Sequence, residues 1–292
     1  MPTFEGRPLP HPDEPPYDQG LQFDVGTLLT RRQVIRALGY GAIAVSAAAC
    51  LPSASPTASP AGTTGSTPGS TSGAGATTAA DCDVIPEETA GPFPGDGSNG
   101  PDVLAQSGVV RQDIRSSFGS STTLAGGIPL TIRLAILDLA RGCVPFGGAA
   151  VYAWHCDQVG RYSLYSTGVQ GENYLRGVQA AGADGILTFN SVFPGCYQGR
   201  WPHVHFEVYP SLDAATDDAN VIATSQIALP EDTCSAVYAT SGYEASVGAL
   251  AGVSLARDGV FGEDGGVRQL GAVSGSIADG LTIDLSVPVR SA

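Results

Sequence analysis

The sequence predicts a mainly β protein, a β-sandwich with long loops and one or two short helices. Three observations carry this. Glycine is abundant, at 39 of 292 residues, while only 14% of residues are charged, a composition suited to turns and short strands. Six short runs alternate apolar with polar residues or are rich in β-formers, with Gly and Pro between them. Helical periodicity is weak throughout.

In chain order, the first feature is Thr30-Arg31-Arg32-Gln33-Val34-Ile35-Arg36, a twin-arginine pattern, followed by the small apolar run Ala37 to Ala49. That run is too short for a membrane span, which needs about 20 residues, and reads as the core of an export signal. It closes on Ala47-Ala48-Ala49-Cys50, so Cys50 is a candidate for lipidation, with ordinary cleavage nearby as the alternative. Residues 51–80 are almost wholly Ser, Thr, Pro, Gly and Ala, a flexible tether that cannot bury enough apolar surface to fold. The expected organisation is a signal region at 1–50, a linker at 51–80 and one folded domain at 81–292. The product would be extracellular or held at the cell surface, touching a membrane only through a lipid on Cys50.

Within the domain, Leu130–Leu139, Ala150–His155, Gly185–Phe193, Val204–Tyr209, Val221–Ala228 and Leu281–Val287 are the predicted strands, and Asp232–Ala251 would hold the short helices. Five cysteines follow Cys50: Cys82, Cys143, Cys156, Cys196 and Cys234. Export permits one or two disulfides among them, and the odd count leaves at least one thiol over.

Charge excludes several functions. The formal net charge is −14, and all 14 basic residues are Arg. Without lysine there is no P-loop lysine, Schiff base or Ser-Lys dyad. An acidic chain is also unsuited to neutralising nucleic-acid phosphates.

The chemistry concentrates in Pro194-Gly-Cys-Tyr-Gln-Gly-Arg-Trp-Pro-His-Val-His-Phe-Glu207. His203 and His205 stand two apart on a predicted strand, so both imidazoles share one face while Val204, Phe206 and Val208 take the other. Paired imidazoles can hold a metal ion. Tyr197 lies six residues upstream, beyond a Gly and a Pro that can turn the chain back, and Arg200 stands three before the first His. A second segment, Val151 to Ser163, reads as a strand, an Asp/Gly turn and then Tyr162. His155 reads as a strand histidine satisfied by hydrogen bonds, Trp154 as core, and Asp113 with Arg115 as a structural ion pair.

Together, Trp154-His-Cys-Asp-x-x-Gly-x-Tyr-Ser163 and Pro194-Gly-x-Tyr-x-Gly-Arg-x-x-His-x-His205 resemble the intradiol ring-cleavage dioxygenases. Pro86-Glu-Glu-Thr-Ala-Gly-Pro-Phe93 resembles the segment that opens that family's domain. The resemblance runs from about Cys82 to Pro230. It implies the intradiol type of β-sandwich, one non-haem Fe(III) held by Tyr162, Tyr197, His203 and His205, and a catechol-type substrate cleaved with O2 to a muconic-acid-type product. It makes Tyr197 the tyrosinate displaced by substrate, Arg200 the residue that stabilises charge on the bound substrate, and Gln226 a residue beside it. Two phenolates and two neutral imidazoles form a hard donor set suited to Fe(III). Cys196 departs from the pattern, standing where an aromatic is expected, as either a disulfide partner or a smaller packing residue. No helical dimerisation segment is expected before the domain. Two other functions compete: a non-catalytic surface β-sandwich that binds a polysaccharide or protein, and a zinc hydrolase using the two histidines, for which no His-Glu-x-x-His pattern or general base is apparent.

Overall fold

A computed structural model describes residues 82–291, together with two dipeptide strands, β1 (Thr3–Phe4) and β2 (Arg7–Pro8), paired antiparallel. The twin-arginine segment, Cys50 and the tether at 51–80 lie outside the described residues. Nine further strands form two sheets: β3 (Pro129–Asp138), β4 (Val144–Pro145), β5 (Ala150–Trp154), β6 (Arg176–Ala180), β7 (Ile186–Val192), β8 (His203–Tyr209), β9 (Ala223–Ala228), β10 (Ala272–Ser276) and β11 (Gly280–Val289).

The first sheet runs β10-β11-β3-β4, with β7 pairing along the same edge of β3 as β4. Strands β3 and β11 are parallel, which the long separation between them in sequence allows. On β3, Leu130, Ile132, Leu134 and Ile136 are buried at every second position, and on β11 Leu281, Ile283, Leu285 and Val287 repeat the pattern. Arg133 and Asp284, directly opposite on the outer face, form an ion pair. The second sheet is antiparallel in the order β6-β5-β8-β9. Its inner residues, Val151 and Ala153 from β5 and Val204, Phe206 and Val208 from β8, meet the first sheet in one apolar core. Each valine or phenylalanine among them contributes roughly 1.5–3 kcal/mol on burial. The mainly β sandwich expected from the sequence is therefore the observed fold.

The outer face of the second sheet is not open to solvent. Every residue of β8 is buried, because loops fold over that face and pack on Tyr152, Trp154 and Tyr209. Register places Arg176 (β6), Trp154 (β5), His205 (β8) and Gln226 (β9) in one row across all four strands.

The six predicted strands are all present, with small shifts at their ends; β9 begins at Ala223, and His155 lies just past β5. Strands β4, β6 and β10 were not expected. The first has two residues, β6 (Arg-Gly-Val-Gln-Ala) has no apolar alternation, and β10 is a small-residue edge strand. Two helices, Glu231–Tyr238 and Glu244–Ala251, occupy the predicted stretch, and the first buries Cys234, Val237 and Tyr238. Cys82 and Cys143 form a disulfide across 61 residues, with Cα atoms 6.3 Å apart. Among the described residues, Cys156, Cys196 and Cys234 are free and buried, so Cys196 is a packing residue rather than a disulfide partner. Asp113 and Arg115 pair at 2.6 Å.

Candidate metal centre

His203 and His205 project from β8 toward the loop-covered face, as their spacing requires, and both are almost fully buried. Their Nε2 atoms lie 3.0 Å apart. The His203 Nδ1–H donates to the Trp201 carbonyl, since a carbonyl can only accept. Its Nε2 therefore carries a lone pair directed at the cluster. Burial and then the Arg200 charge push the His203 pKa down to about 3, and burial followed by His203 lowers that of His205, so both imidazoles are neutral.

Two loops bring phenols to the same point. The turn after β5 is built on Asp157, whose carboxylate accepts the backbone N–H groups of Val159 and Arg161. Gly160 sits in this turn at φ +87°, and a Cβ there would stand 3.2 Å from Tyr197 Cβ. A glycine at this position thus both permits the left-handed backbone and lets the two loops touch. Tyr162 follows the turn, fully buried, with its N–H bonded to Ser166 Oγ and Phe93 packed on its ring at 4.9 Å. Tyr197, half-buried, comes from the loop before β8.

The four donor atoms converge. Tyr162 Oη lies 3.3 Å from Tyr197 Oη and 3.3 Å from His203 Nε2, and Tyr197 Oη lies 3.2 Å from His203 Nε2. Four atoms bound at about 2.0–2.1 Å to one ion in a tetrahedral arrangement would stand roughly 3.3 Å apart, so these separations fit a shared cation. His205 Nδ1 is buried with no hydrogen-bond partner among the described residues, and burial raises the pKa of both phenols. A bound cation reverses that penalty by stabilising phenolate. No group of three or more His, Cys, Asp and Glu gathers for a metal among the described residues; this cluster depends on tyrosine.

Arg200 and Gln226 flank the cluster. Arg200 Nη2 donates to Gln226 Oε1 at 2.7 Å, and Gln226 Nε2 donates to the Thr89 carbonyl at 2.9 Å. Burial opposes the Arg200 charge, but Tyr197 and Asp258 outweigh it and hold the guanidinium protonated. The structure thus brings all six residues singled out in the sequence to one place.

Other contributors carried no signal of their own. Asp258 pairs with Arg200 from a loop 58 residues away, without motif or periodicity to mark it. Arg176, from an unexpected strand, donates to the carbonyls of Phe93, Pro94 and Ser163 and to two hydroxyls. Gly91, at φ +75°, comes so close that a Cβ would lie 3.3 Å from His205 Cε1. Trp154 is core, as expected, but also stacks on His205. His155 is satisfied by the Cys156 carbonyl and Ser191 Oγ, outside the donor set.

No protein-family model matches the chain, and no curated protein does. Solved structures do. The chain is similar to an intradiol ring-cleavage dioxygenase from Tetranychus urticae, at 24% identity and a TM-score of 0.54, covering 72% of this chain and 95% of that one. A second solved structure, described as a dioxygenase, gives 24% identity and a TM-score of 0.55 over the same shares. At such identities the likeness defines the fold: this is a β-sandwich of the intradiol dioxygenase type.

Proposed function

We propose that this chain is an Fe(III)-dependent intradiol dioxygenase. It cleaves catechol-type rings between the two hydroxylated carbons, placing both atoms of O2 in a muconic-acid-type product. The convergence of two phenols and two neutral imidazoles carries the reading. The donor set is hard and anionic once the tyrosines ionise, which suits Fe(III) over Zn(II) or Fe(II). The activity named for the Tetranychus urticae neighbour supports the same assignment.

Tyr162, Tyr197, His203 and His205 would hold the ion. When bound, ferric iron supplies a Lewis-acid centre that binds the catecholate and makes a ring carbon open to O2. The chain's own residues do the rest. Tyr162 is clamped by Phe93 and Ser166 and stays in place. Tyr197 is less buried, on a loop whose next residue, Gln198, is exposed, so it is the phenol able to swing away. Its Oη would then accept one of the two protons a catechol sheds on chelation. Arg200 presents a fixed positive charge where negative charge grows on the substrate, in a site from which water is largely excluded. Gln226 holds Arg200 from the neighbouring strand.

The same reading covers the N-terminal segment: export by the twin-arginine route, with Cys50 as lipid anchor and residues 51–80 as tether. The Cys82–Cys143 disulfide suits an oxidising compartment outside the cytosol.

The test is the visible spectrum of the iron-reconstituted protein, before and after catechol is added without oxygen. A red-brown tyrosinate band that shifts on addition, with ring cleavage once air is admitted, is the expected result. Colourless protein that takes up no iron would turn the assignment toward a binding module, and colourless protein holding zinc toward a hydrolase.

A further inference from the structure

We infer that Asp258 is the positioning residue for Arg200, setting the orientation of the guanidinium that acts on bound substrate. This rests on the reading of the site given above. Asp258 lies beyond the segment that carries the family resemblance, between the short turns Leu255–Arg257 and Phe261–Glu263.

The contacts divide the carboxylate's work. Oδ2 accepts Arg200 Nε at 3.0 Å and Trp201 N–H at 2.7 Å. Oδ1 accepts Val260 N–H at 2.9 Å, Phe261 N–H at 3.1 Å and, at 3.4 Å, Arg200 Nη2. Three backbone donors on two stretches of chain thus fix the carboxylate before Arg200 is considered, so it is an anchor and does not follow the arginine. The side chain of Asp258 is fully buried and that of Arg200 only 9% exposed. A buried guanidinium without a counter-charge is strongly disfavoured, and Asp258 is its one ion-pair partner among the described residues.

Orientation follows from which nitrogens are taken. Nε and Nη2 face Asp258, and Nη2 is also held by Gln226 Oε1 at 2.7 Å. Rotation about the Cδ–Nε bond would break both contacts. Nη1 makes no hydrogen bond among the described residues and is the nitrogen left for substrate. The chain Asp258–Arg200–Gln226–Thr89 runs from one loop, across β9, to the segment that also carries Gly91 against His205. An arginine held this way pays no reorganisation when charge develops near it. Burial opposes ionisation of Asp258, yet Arg200 and the Trp201 N–H hold its carboxyl below the usual range, consistent with a permanent ion pair.

The experiment compares Asp258→Asn, Arg200→Ala and the double variant in the full-length, iron-loaded chain with catechol as substrate. Melting temperature and iron content are recorded for each. Asp258→Asn should lower kcat by about 10- to 100-fold with little change in KM, less than the 10²–10³ typical of losing a donor outright. The double variant should be no slower than Arg200→Ala alone, because the two residues act as a unit. A second readout needs neither metal nor turnover. In the metal-free, 15N-labelled protein the Arg200 Nε–H signal should exchange slowly in the wild type and quickly in Asp258→Asn. Additive losses in the double variant, or an unchanged Nε–H signal, would overturn the inference while leaving the dioxygenase reading intact. If Asp258→Asn does not fold, Arg200→Lys decides the matter: it keeps the charge and loses the fork, so near-wild-type kcat would sink the inference. A wild-type protein that neither takes up iron nor cleaves catechol would instead overturn the reading of the site, and Asp258's role in the reaction with it.

Discussion

Trp154 lies flat against His205, with ring centroids 4.9 Å apart and planes 6° from parallel. The two are directly opposite on adjacent strands, so strand pairing itself sets the imidazole's tilt. Trp154 is fully buried, and its Nε1–H has no partner among the described residues. Trp154→Ala should therefore cost about 3–5 kcal/mol of stability and loosen His205. Trp154→Phe keeps a stacking ring and removes an unsatisfied donor, so it should stay close to wild type. Chemical denaturation, with metal retention against a chelator, checks both.

The two tyrosines should differ when each loses its hydroxyl. Tyr162→Phe removes a clamped donor and should reduce iron retention, bleach much of the tyrosinate band and abolish turnover. Tyr197→Phe should keep more of the metal but lose a proton acceptor, lowering kcat by about 10²–10⁴-fold. Full activity in Tyr162→Phe would contradict the donor assignment; iron content, spectrum and turnover measured on the same samples decide it.

Arg176 is fully buried, and no carboxylate lies within ion-pair distance of it among the described residues. Its five hydrogen bonds tie the Phe93–Pro94 segment and Ser163 to the sheet, on either side of Tyr162. Arg176→Met would strand several buried acceptors, each costing about 1–3 kcal/mol. The expected outcome is a loss of several kcal/mol, read as a lowered urea midpoint, and weaker iron retention through Tyr162.

Glu172 accepts hydrogen bonds from Ser117, Ser121 and Thr123, and these hydroxyls, Ser117 foremost, hold its carboxyl below the usual range. A folded-state pKa below the unfolded value adds stability above that unfolded value, and the gain is lost as pH falls through the folded one. Glu172→Gln should thus cost no more than about 1 kcal/mol at pH 7 once solvent screening is counted, and the cost should shrink as pH falls below the ordinary glutamate range. Melting curves across that range test the sign: an equal loss at both ends would show that ionisation is not involved.

Much of this site is legible because its decisive pattern is local. A period of two along one strand is enough to put His203 and His205 on one face and Val204, Phe206 and Val208 on the other, and the structure has that division. Alternation likewise marks β3 and β11, each of which buries every second residue until its last three, where both faces are covered. Strand β6 escapes because both its faces are covered, so Arg176 and Gln179 occupy a strand with no apolar rhythm.

What the tertiary structure alone decided is which distant loops meet. The convergence of Tyr162 and Tyr197 to 3.3 Å depends on the Gly160 turn closing against a loop 35 residues later. The Cys82–Cys143 pairing, the Arg176 network and the Asp258 anchor join positions 58 or more residues apart, in part or in whole. Such contacts leave no trace in periodicity or spacing, because a loop's path is set by what it packs against rather than by its own repeat. By itself the sequence determined the sheet faces and the chemical identity of the donors; folding decided which of them share a point in space, since only burial against the second sheet's outer face brings the loops that carry them together.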